Sequence, residues 1–342
     1  MKVLVLREYN KDMFLEDVAD PMPGPLDIIL RVKACGVCGT DLKILSGKIP
    51  PPIVTLPHTP GHEIAGEVVA IGSAVKNVSV GQKGIVYFYV GCKDCEMCRT
   101  GRENVCFSIR RLGFELPGGF AECVKIPAYN FCPFREGISI HEMAILPDAV
   151  ATPYHALKTM AEVKAGQDVL IMGVGGLGIH AVQIAKLMGA RVFAVARREG
   201  PLRLASEHGA DFVIDSSEEG SSKKVMEMTQ RRGVDVVIEN VGTAQSVAWS
   251  LPCLKRRGRL VLVGYDPLSP YPLNPMQMHY NEWILCGSRV STKQELLEVI
   301  DLVERGKIKP IVYKRFPWED ANGAIKEIQK RIGIGRTVLT FD

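Results

Sequence analysis

Four cysteines lie in one short stretch of the chain, at a spacing that suits a metal ion. Cys92, Cys95, Cys98 and Cys106 form the pattern C-x-x-C-x-x-C-x7-C. Four thiolates from one loop complete a tetrahedral zinc shell and leave no position open for substrate. A disulfide pair or idle thiols are the alternatives. Ten cysteines without a recognisable secretory signal favour a reducing compartment, where clustered thiols more often bind metal. The spacing therefore predicts a structural zinc site.

A glycine-rich turn between two apolar runs has the pattern of a dinucleotide site. An apolar run over 169–172 leads into the turn, apolar residues follow at helical spacing to Met188, and a second run covers 192–195. The turn itself reads Gly173, Val174, Gly175, Gly176, Leu177, Gly178. Such glycines let the backbone approach a pyrophosphate, whose charge lies at the N-terminus of the next helix. Glycines also punctuate ordinary loops, but this strand-turn-helix-strand context is the one that the motif requires.

The end of the second apolar run bears on which dinucleotide is used. A site specific for NAD needs an acidic residue there, which accepts hydrogen bonds from the adenosine ribose. This chain has Ala196 followed by Arg197 and Arg198, so no carboxylate repels a 2′-phosphate and two guanidinium groups can bind it. A solvated loop without cofactor preference is the alternative. The sequence predicts NADP(H) over NAD(H).

A second possible metal cluster is spread along the chain. Cys38 lies in the segment 36–41, Gly-Val-Cys-Gly-Thr-Asp, while His62 and Glu63 lie in the segment 60–66, Pro-Gly-His-Glu-Ile-Ala-Gly. One cysteine and one histidine this far apart are core residues about as often as ligands. Spacing alone therefore leaves both interpretations open.

The elements that must position these residues fall into two patterns, as expected for two domains in 342 residues. Short strands broken by proline and glycine dominate to about residue 128, whereas strands and helices alternate from about 150 to 287, which favours a doubly wound parallel sheet. The predicted strands after the glycine turn are Arg191–Ala196, Phe212–Ile214, Val234–Ile238, Arg259–Val263 and Trp283–Cys286. The predicted helices are Leu202–His208, Ser222–Gln230, Ala244–Leu254 and Gln294–Arg305.

The small net charge, +4, argues against nucleic acid as a partner, and no apolar run approaches membrane-spanning length.

Taken together, these segments resemble one enzyme family. The chain is similar to the zinc-containing alcohol dehydrogenases of the medium-chain dehydrogenase/reductase superfamily. The similarity lies in Gly61-His62-Glu63-x-x-Gly66, in Gly72 and Val75 after it, and in the 36–41 segment before it. The four-cysteine loop, the glycine turn and the closing 335–339 segment follow in that family's order, so the resemblance covers essentially the whole chain. It implies an α/β protein: a β-rich, GroES-like catalytic domain of residues 1–149 and 288–342, and a Rossmann cofactor domain of residues 150–287.

The resemblance also implies a second, catalytic zinc ion, held by Cys38, His62 and a third ligand. Many members carry cysteine at the third position, where this chain has Asp148, as in the NADP-linked secondary alcohol dehydrogenases of the family. An aspartate that only caps a helix start is the alternative. In the family the residue at Glu63 lies close to the metal, where it can help ligand exchange, and Thr40 matches the hydroxyl that begins the proton relay. Further along that relay the chain has Lys43, where members often place histidine.

The implied reaction is reversible hydride transfer between an alcohol, with secondary alcohols or polyols favoured, and NADP(H), while zinc polarises the oxygen. Thr152, Val263 and Gly264 resemble positions that line the nicotinamide, and Arg336 matches an arginine that reaches the pyrophosphate. Subunits of the family commonly pair through the last strand of the cofactor sheet, so a homodimer or homotetramer is expected. The protein is also expected to be cytoplasmic. The alternatives are a zinc-ribbon and nucleotide-sensing protein without turnover, or a zinc-free quinone or enone reductase of the same fold.

Overall fold

The structure is a computed structural model that describes residues 1–330 and 333–341. The chain forms two compact units. The β-rich unit contains Met1–Asp148, Ser291–Gly306 and the chain from Pro310 onward, and the Rossmann unit contains Ala149–Val290 and Lys307–Lys309. The sequence placed the two divisions after residues 149 and 287, and it did not anticipate the return of Lys307–Lys309 to the second unit. No helix in the described ranges is long and apolar enough to cross a membrane.

The strands and helices have the following bounds. The strands are β1 (Lys2–Val5), β2 (Phe14–Asp17), β3 (Asp27–Val37), β4 (Glu63–Ile71), β5 (Lys83–Val86), β6 (Tyr89–Val90), β7 (Arg110–Arg111), β8 (Cys123–Pro127), β9 (Phe131–Pro133), β10 (Asp168–Met172), β11 (Arg191–Ala196), β12 (Phe212–Asp215), β13 (Val234–Glu239), β14 (Leu254–Leu262), β15 (Ile284–Gly287), β16 (Val312–Pro317) and β17 (Arg336–Thr340). The α-helices are α1 (Gly39–Leu45), α2 (Glu96–Arg99), α3 (Ile140–Ala144), α4 (Ala151–His155), α5 (Gly178–Leu187), α6 (Glu199–Glu207), α7 (Ser221–Met228), α8 (Ala244–Ser250), α9 (Pro275–Asn281), α10 (Lys293–Glu304) and α11 (Ala321–Gln329). Single π-helical turns cover Leu146–Val150 and Ala156–Met160.

The β-rich unit is built on a seven-stranded sheet in the order β16-β17-β3-β4-β5-β9, with β8 also paired to β3. In β3, Ile28, Leu30, Val32 and Ala34 alternate along the strand and are buried, as one core-facing side of a sheet requires. The register sets Gly36 of β3 opposite Glu63 of β4, and Val37 of β3 opposite Thr337 of β17. The residues at these strand ends therefore meet at one edge of the sheet.

The Rossmann unit is built on a six-stranded sheet in the order β12-β11-β10-β13-β14-β15. All five strand pairs are parallel. Every residue of β10 and β13 is buried, because helices cover both faces of a parallel sheet. This is the doubly wound order in which a ligand binds outside the carboxyl ends of the strands, where the order reverses between β10 and β13. The predicted fold class is confirmed.

Candidate metal centres and dinucleotide site

Three side chains that are far apart in sequence meet at the edge of the β-rich unit's sheet. Cys38 directly follows β3 and is the N-cap residue of α1, His62 precedes β4, and Asp148 lies in the first π-helical turn. Their ligand atoms all lie within 4.8 Å of one another. Cys38 Sγ is 3.2 Å from Asp148 Oδ2, and His62 Nε2 is 3.8 Å from the same oxygen. The structure thus brings together the three residues that the sequence could not connect by spacing.

The donor set and its dimensions fit a zinc ion. Ligands at ordinary zinc distances, in a tetrahedral arrangement, stand roughly 3.4–3.6 Å apart, and the two measured separations bracket that value. Thiolate, imidazole and carboxylate are all zinc donors. Cys38, His62 and Asp148 are 5%, 2% and 7% exposed as whole residues, so bulk water does not satisfy their polar atoms.

Asp41 supports this cluster and was missed from the sequence. It is fully buried in the first turn of α1, where Oδ2 accepts a 2.7 Å hydrogen bond from the backbone N–H of Cys38. Its Oδ1 faces His62 Nδ1 at 3.5 Å. A carboxylate behind a histidine fixes the ring so that the other nitrogen faces the metal. Burial alone would lower the pKa of His62, but Asp41 and Asp148 raise it well above its usual value. The sequence signal that could have identified Asp41 is its position three residues after Cys38, where a helix-capping side chain is expected.

Arg336 also belongs to this cluster. Its side chain is buried at the start of β17, where Nε donates to Glu63 Oε1 at 2.9 Å and Nη2 donates to Asp148 Oδ2 at 2.6 Å. Burial raises the pKa of Glu63 to about 7, against the opposing charge of Arg336. The contact of Arg336 with the pyrophosphate stays a prediction. Its position between the carboxylates of Glu63 and Asp148 was not anticipated, because it depends on the pairing of β17 with β3.

Aromatic rings surround His62. The Phe88 and Phe114 ring centroids lie 5.1 and 5.3 Å from that of His62, and both phenylalanines are buried. These rings keep water from the flanks of the imidazole. Thr40 lies in the first turn of α1, two residues beyond Cys38, and is half-buried. Its part in a proton relay stays a prediction.

The four-cysteine loop also forms a compact cluster. The thiol sulfurs are mutually within 4.8 Å, with Cys92 Sγ 4.0 Å from Cys98 Sγ and Cys95 Sγ 3.7 Å from Cys106 Sγ. A tetrahedral zinc–thiolate shell has an edge of about 3.8 Å. Backbone N–H groups point at the sulfurs, and the one from Cys98 contributes most to lowering the pKa of Cys95 to about 6. Burial instead raises the pKa of Cys98 to about 12, so it is the convergence of the four sulfurs that fits the loop to one ion.

In the Rossmann unit, the glycine turn follows β10 and opens α5. Gly173 has φ +85°, and a Cβ at Gly178 would lie 2.0 Å from the Gly173 carbonyl oxygen, so both positions require glycine. A Cβ at Gly175 would meet no atom within 4 Å, which leaves its backbone open to a ligand. Gly176 and Leu177 complete the turn, and Leu177 is the N-cap of α5. This geometry suits a pyrophosphate at a helix N-terminus.

Three further predicted cofactor residues lie in the same unit. Val263 and Gly264 directly follow β14, and their backbone N–H groups donate to the carbonyl oxygen of Glu239 at 3.0 and 2.9 Å. A Cβ at Gly264 would lie 2.2 Å from the Asn240 carbonyl oxygen, so the loops after β13 and β14 pack backbone to backbone. Thr152 is buried in α4. Contacts of these residues with a nicotinamide stay predictions.

The strand that would contact the adenosine ribose, β11, ends at Ala196. Arg197 and Arg198 follow it with exposed side chains, and Arg197 Nη2 donates to Gln245 Oε1 at 3.3 Å. The neighbouring strand places Asp215 beside Ala196 in the register. The Asp215 carboxylate accepts bonds from the backbone and hydroxyl of Ser217 at 2.8 and 2.6 Å, which hold it in its own turn.

A β-rich unit with two zinc-type ligand clusters and a Rossmann unit with a pyrophosphate turn together define a zinc-binding, dinucleotide-dependent oxidoreductase. Comparison with known proteins gives the family. The Alcohol dehydrogenase GroES-like domain model matches residues 24–136, and the Zinc-binding dehydrogenase model matches residues 176–305. The chain belongs to the zinc-containing alcohol dehydrogenase family of the medium-chain dehydrogenase/reductase superfamily.

Individual relatives span the full chain. The NAD-dependent alcohol dehydrogenase of Sulfolobus acidocaldarius is 34% identical, with 99% of both chains covered. The crystal structure of the alcohol dehydrogenase from Aeropyrum pernix superimposes with a TM-score of 0.94 at 34% identity, over 100% of both chains. The acryloyl-coenzyme A reductase of Metallosphaera sedula is 30% identical, with 99% of this chain and 100% of the relative covered. The relatives of this chain are therefore named for different reactions.

Proposed function

We propose that this protein interconverts an alcohol and a carbonyl compound by hydride transfer with a nicotinamide dinucleotide, at a site that uses a catalytic zinc ion. The convergence of Cys38, His62 and Asp148 is the observation that carries the proposal. A reductase that acts on a carbon–carbon double bond does not need three buried zinc donors. A nucleotide-sensing protein without turnover leaves the same cluster without a use.

The residues of the β-rich unit have different roles at this site. Cys38, His62 and Asp148 would hold the metal, and three protein donors leave a tetrahedral ion one position for substrate. Zinc, when bound, would supply Lewis acidity toward the substrate oxygen, and the nicotinamide, when bound, would supply the hydride acceptor or donor. Asp41 orients His62, and Phe88 and Phe114 keep water from its ring. The Thr40 hydroxyl would accept the substrate's hydroxyl proton, as the first relay step.

A substrate screen tests this assignment. Zinc-loaded protein is assayed with primary and secondary alcohols, polyols, ketones, enones and an acryloyl thioester, and the nicotinamide absorbance is followed. We expect turnover with alcohols and ketones, highest for secondary alcohols or polyols. Reduction of double bonds alone would overturn the proposal in favour of an enone-type reductase. Dinucleotide binding without any turnover would favour the sensing protein.

We further propose that NADP(H) is preferred over NAD(H), because Arg197 and Arg198 follow a strand that ends without a carboxylate. Charge-assisted hydrogen bonds contribute about 1.5–3 kcal/mol each. The Arg197→Ala/Arg198→Ala variant should therefore lower kcat/KM for NADP(H) by roughly 10- to 100-fold or more, with little change for NAD(H).

Arg203→Ala is the matched control, since this arginine is exposed on α6 and pairs only loosely with Glu207, at 3.8 Å. Several relatives are named NAD-dependent, which favours the opposite outcome. Equal or better use of NAD(H) by the unmodified enzyme would reject the preference. A preference that survives the double substitution would reject the role of the two arginines.

A homodimer or homotetramer is proposed through the edge of the Rossmann unit's sheet. β15 is the last strand in the sheet order, and within the described part of the chain no strand pairs with its outer edge; proteins usually cover such an edge. Apolar residues of β15 and of α9, the helix that precedes it in sequence, are exposed: Ile284 by 46%, Met276 by 61% and Tyr280 by 71%. Sedimentation equilibrium should show a dimer or tetramer, and Ile284→Lys should shift it toward monomer. A monomeric unmodified protein at micromolar concentration would contradict this proposal.

A further inference from the structure

Two lysine ammonium groups contact one tyrosine ring beside the four-cysteine loop. Lys93 belongs to the loop itself, between Cys92 and Cys95, and its Nζ lies 2.9 Å from the centroid of the Tyr129 ring. Lys293 is the first residue of α10, and its Nζ lies 3.9 Å from the same centroid and donates to the backbone carbonyl oxygen of Tyr129. The fold therefore brings two positive charges from distant segments to one ring, beside a predicted metal site.

Lys93 has a backbone conformation that favours glycine. Its φ is +67°, in the left-handed region, where glycine avoids the steric cost of a side chain. Its backbone N–H donates to the sulfur of Cys98, and glycine would supply the same N–H without strain. The backbone contact therefore does not require lysine. The contact of the side chain with Tyr129 is what distinguishes lysine from glycine at this position.

Two like charges at one ring need negative charge nearby. A tyrosine face attracts a cation only weakly at an exposed position, and Tyr129 is 49% exposed. In the described part of the chain, neither ammonium group forms an ion pair with a carboxylate. Asp94 pairs instead with Arg99, at 2.5 Å, and the buried carboxylate of Glu103 accepts from the backbone N–H of Lys293 at 2.9 Å.

The thiols of the loop are the further source of negative charge. The Lys93 ammonium interacts electrostatically with Cys98 and Cys106 as well as with Glu103. Four thiolates around one Zn²⁺ carry a net charge of two negative units, and the charge of a metal centre belongs in the electrostatics of its surroundings. One ammonium group from the loop and one from α10 supply an equal positive charge.

We propose that Lys93 and Lys293 are the counter-charges of a zinc–thiolate centre in the four-cysteine loop, that Tyr129 holds both ammonium groups beside it, and that their charge helps to retain the ion. This proposal rests on the predicted zinc site of the loop and is independent of the alcohol substrate. It adds to the metal site two charged residues that are not ligands, one of them from α10.

Competition with a chromogenic chelator tests the proposal without substrate or cofactor. The host is the Cys38→Ser variant, in which zinc is expected in the four-cysteine loop only, and each further substitution is made in that host. Lys93→Met and Lys293→Met keep much of the side-chain length and remove the charge. Each should lower the zinc affinity of the loop on the order of 10-fold, and both together should lower it further. Added salt should reduce this difference, because salt screens exposed charges.

Matched variants separate charge from shape. Lys93→Arg and Lys293→Arg keep the positive charge and should retain the zinc affinity of the host. Lys93→Gly should lower the affinity as Lys93→Met does, although glycine relieves the left-handed backbone. Tyr129→Leu keeps both ammonium groups but not the ring, and should fall between the host and the methionine variants. Lys83→Met changes an exposed lysine at the start of β5 and should leave the affinity unchanged.

Unchanged zinc affinity in the Lys93→Met/Lys293→Met double variant would overturn the proposal. An equal loss in the arginine and methionine variants would also overturn it, because the contribution of the lysines would then be one of shape and not of charge. The zinc site itself fails separately, if the host protein retains no zinc.

Discussion

Replacement of Cys38 by serine is expected to leave a folded protein that binds dinucleotide but has lost turnover. The change removes the thiolate of a three-donor set whose other members are His62 and Asp148. The Lewis acidity of a bound metal is worth several kcal/mol, so the loss of kcat should be about 10³-fold or more. Zinc content should fall from about two ions per chain to about one. Metal analysis, dinucleotide titration and steady-state kinetics on the same preparation measure all three.

Cys123→Ser is the control, because Cys123 is half-buried and lies outside both metal clusters. Asp148→Ala should reproduce the loss of one zinc ion, and Asp148→Cys should retain zinc in part, since cysteine is also a zinc donor. Full activity and unchanged metal in Cys38→Ser would contradict the catalytic site. Full activity and unchanged metal content in Asp148→Ala would show that Asp148 is a structural residue of its turn and not a zinc ligand.

The parallel sheet was predictable because its central strands are buried on both faces and stand out as apolar runs. β11 was predicted with its observed bounds, Arg191–Ala196. The prediction for Ala244–Leu254 was wrong at its end: α8 stops at Ser250, and Leu251–Cys253 form a 3-10 turn, because Pro252 has no backbone N–H for an α-helical hydrogen bond. β14 begins at Leu254 rather than Arg259, because charged residues and a register shift after Leu254 hide its first half.

The candidate sites were predictable to different degrees for a geometric reason. The cysteines of the four-cysteine loop and the glycines of the turn are local in sequence, so their spacing carries the geometry. Cys38 and His62 are brought together by the pairing of β3 with β4, which no local pattern records. The contact of Asp41 with His62 depends on the same pairing, and the contact of Arg336 with Asp148 depends on the pairing of β17 with β3. Family resemblance supplied the ligand set, but not these supporting contacts.

Loss of one cysteine from the four-cysteine loop is expected to affect stability rather than chemistry. Cys95→Ser should prevent stable zinc binding there and lower Tm by about 10 °C or more, because structural zinc contributes folding free energy directly. The effect should extend beyond the loop. Glu103, buried within it, accepts a 2.9 Å hydrogen bond from the backbone N–H of Lys293, the first residue of α10. Calorimetry measures the first effect, and hydrogen exchange at 92–106 and 291–296 measures the second.

Glu96→Gln is the matched control, since this glutamate is exposed in the same loop and should leave Tm and exchange unchanged. Glu103→Gln separates the two effects: zinc should stay bound while exchange increases at the start of α10, because the amide accepts this hydrogen bond less strongly than a carboxylate. If Cys95→Ser keeps two zinc ions and the wild-type Tm, the loop is not a structural zinc site. If it loses zinc and Tm falls but exchange at 291–296 does not increase, the loop stabilises the protein without acting through Glu103 on α10.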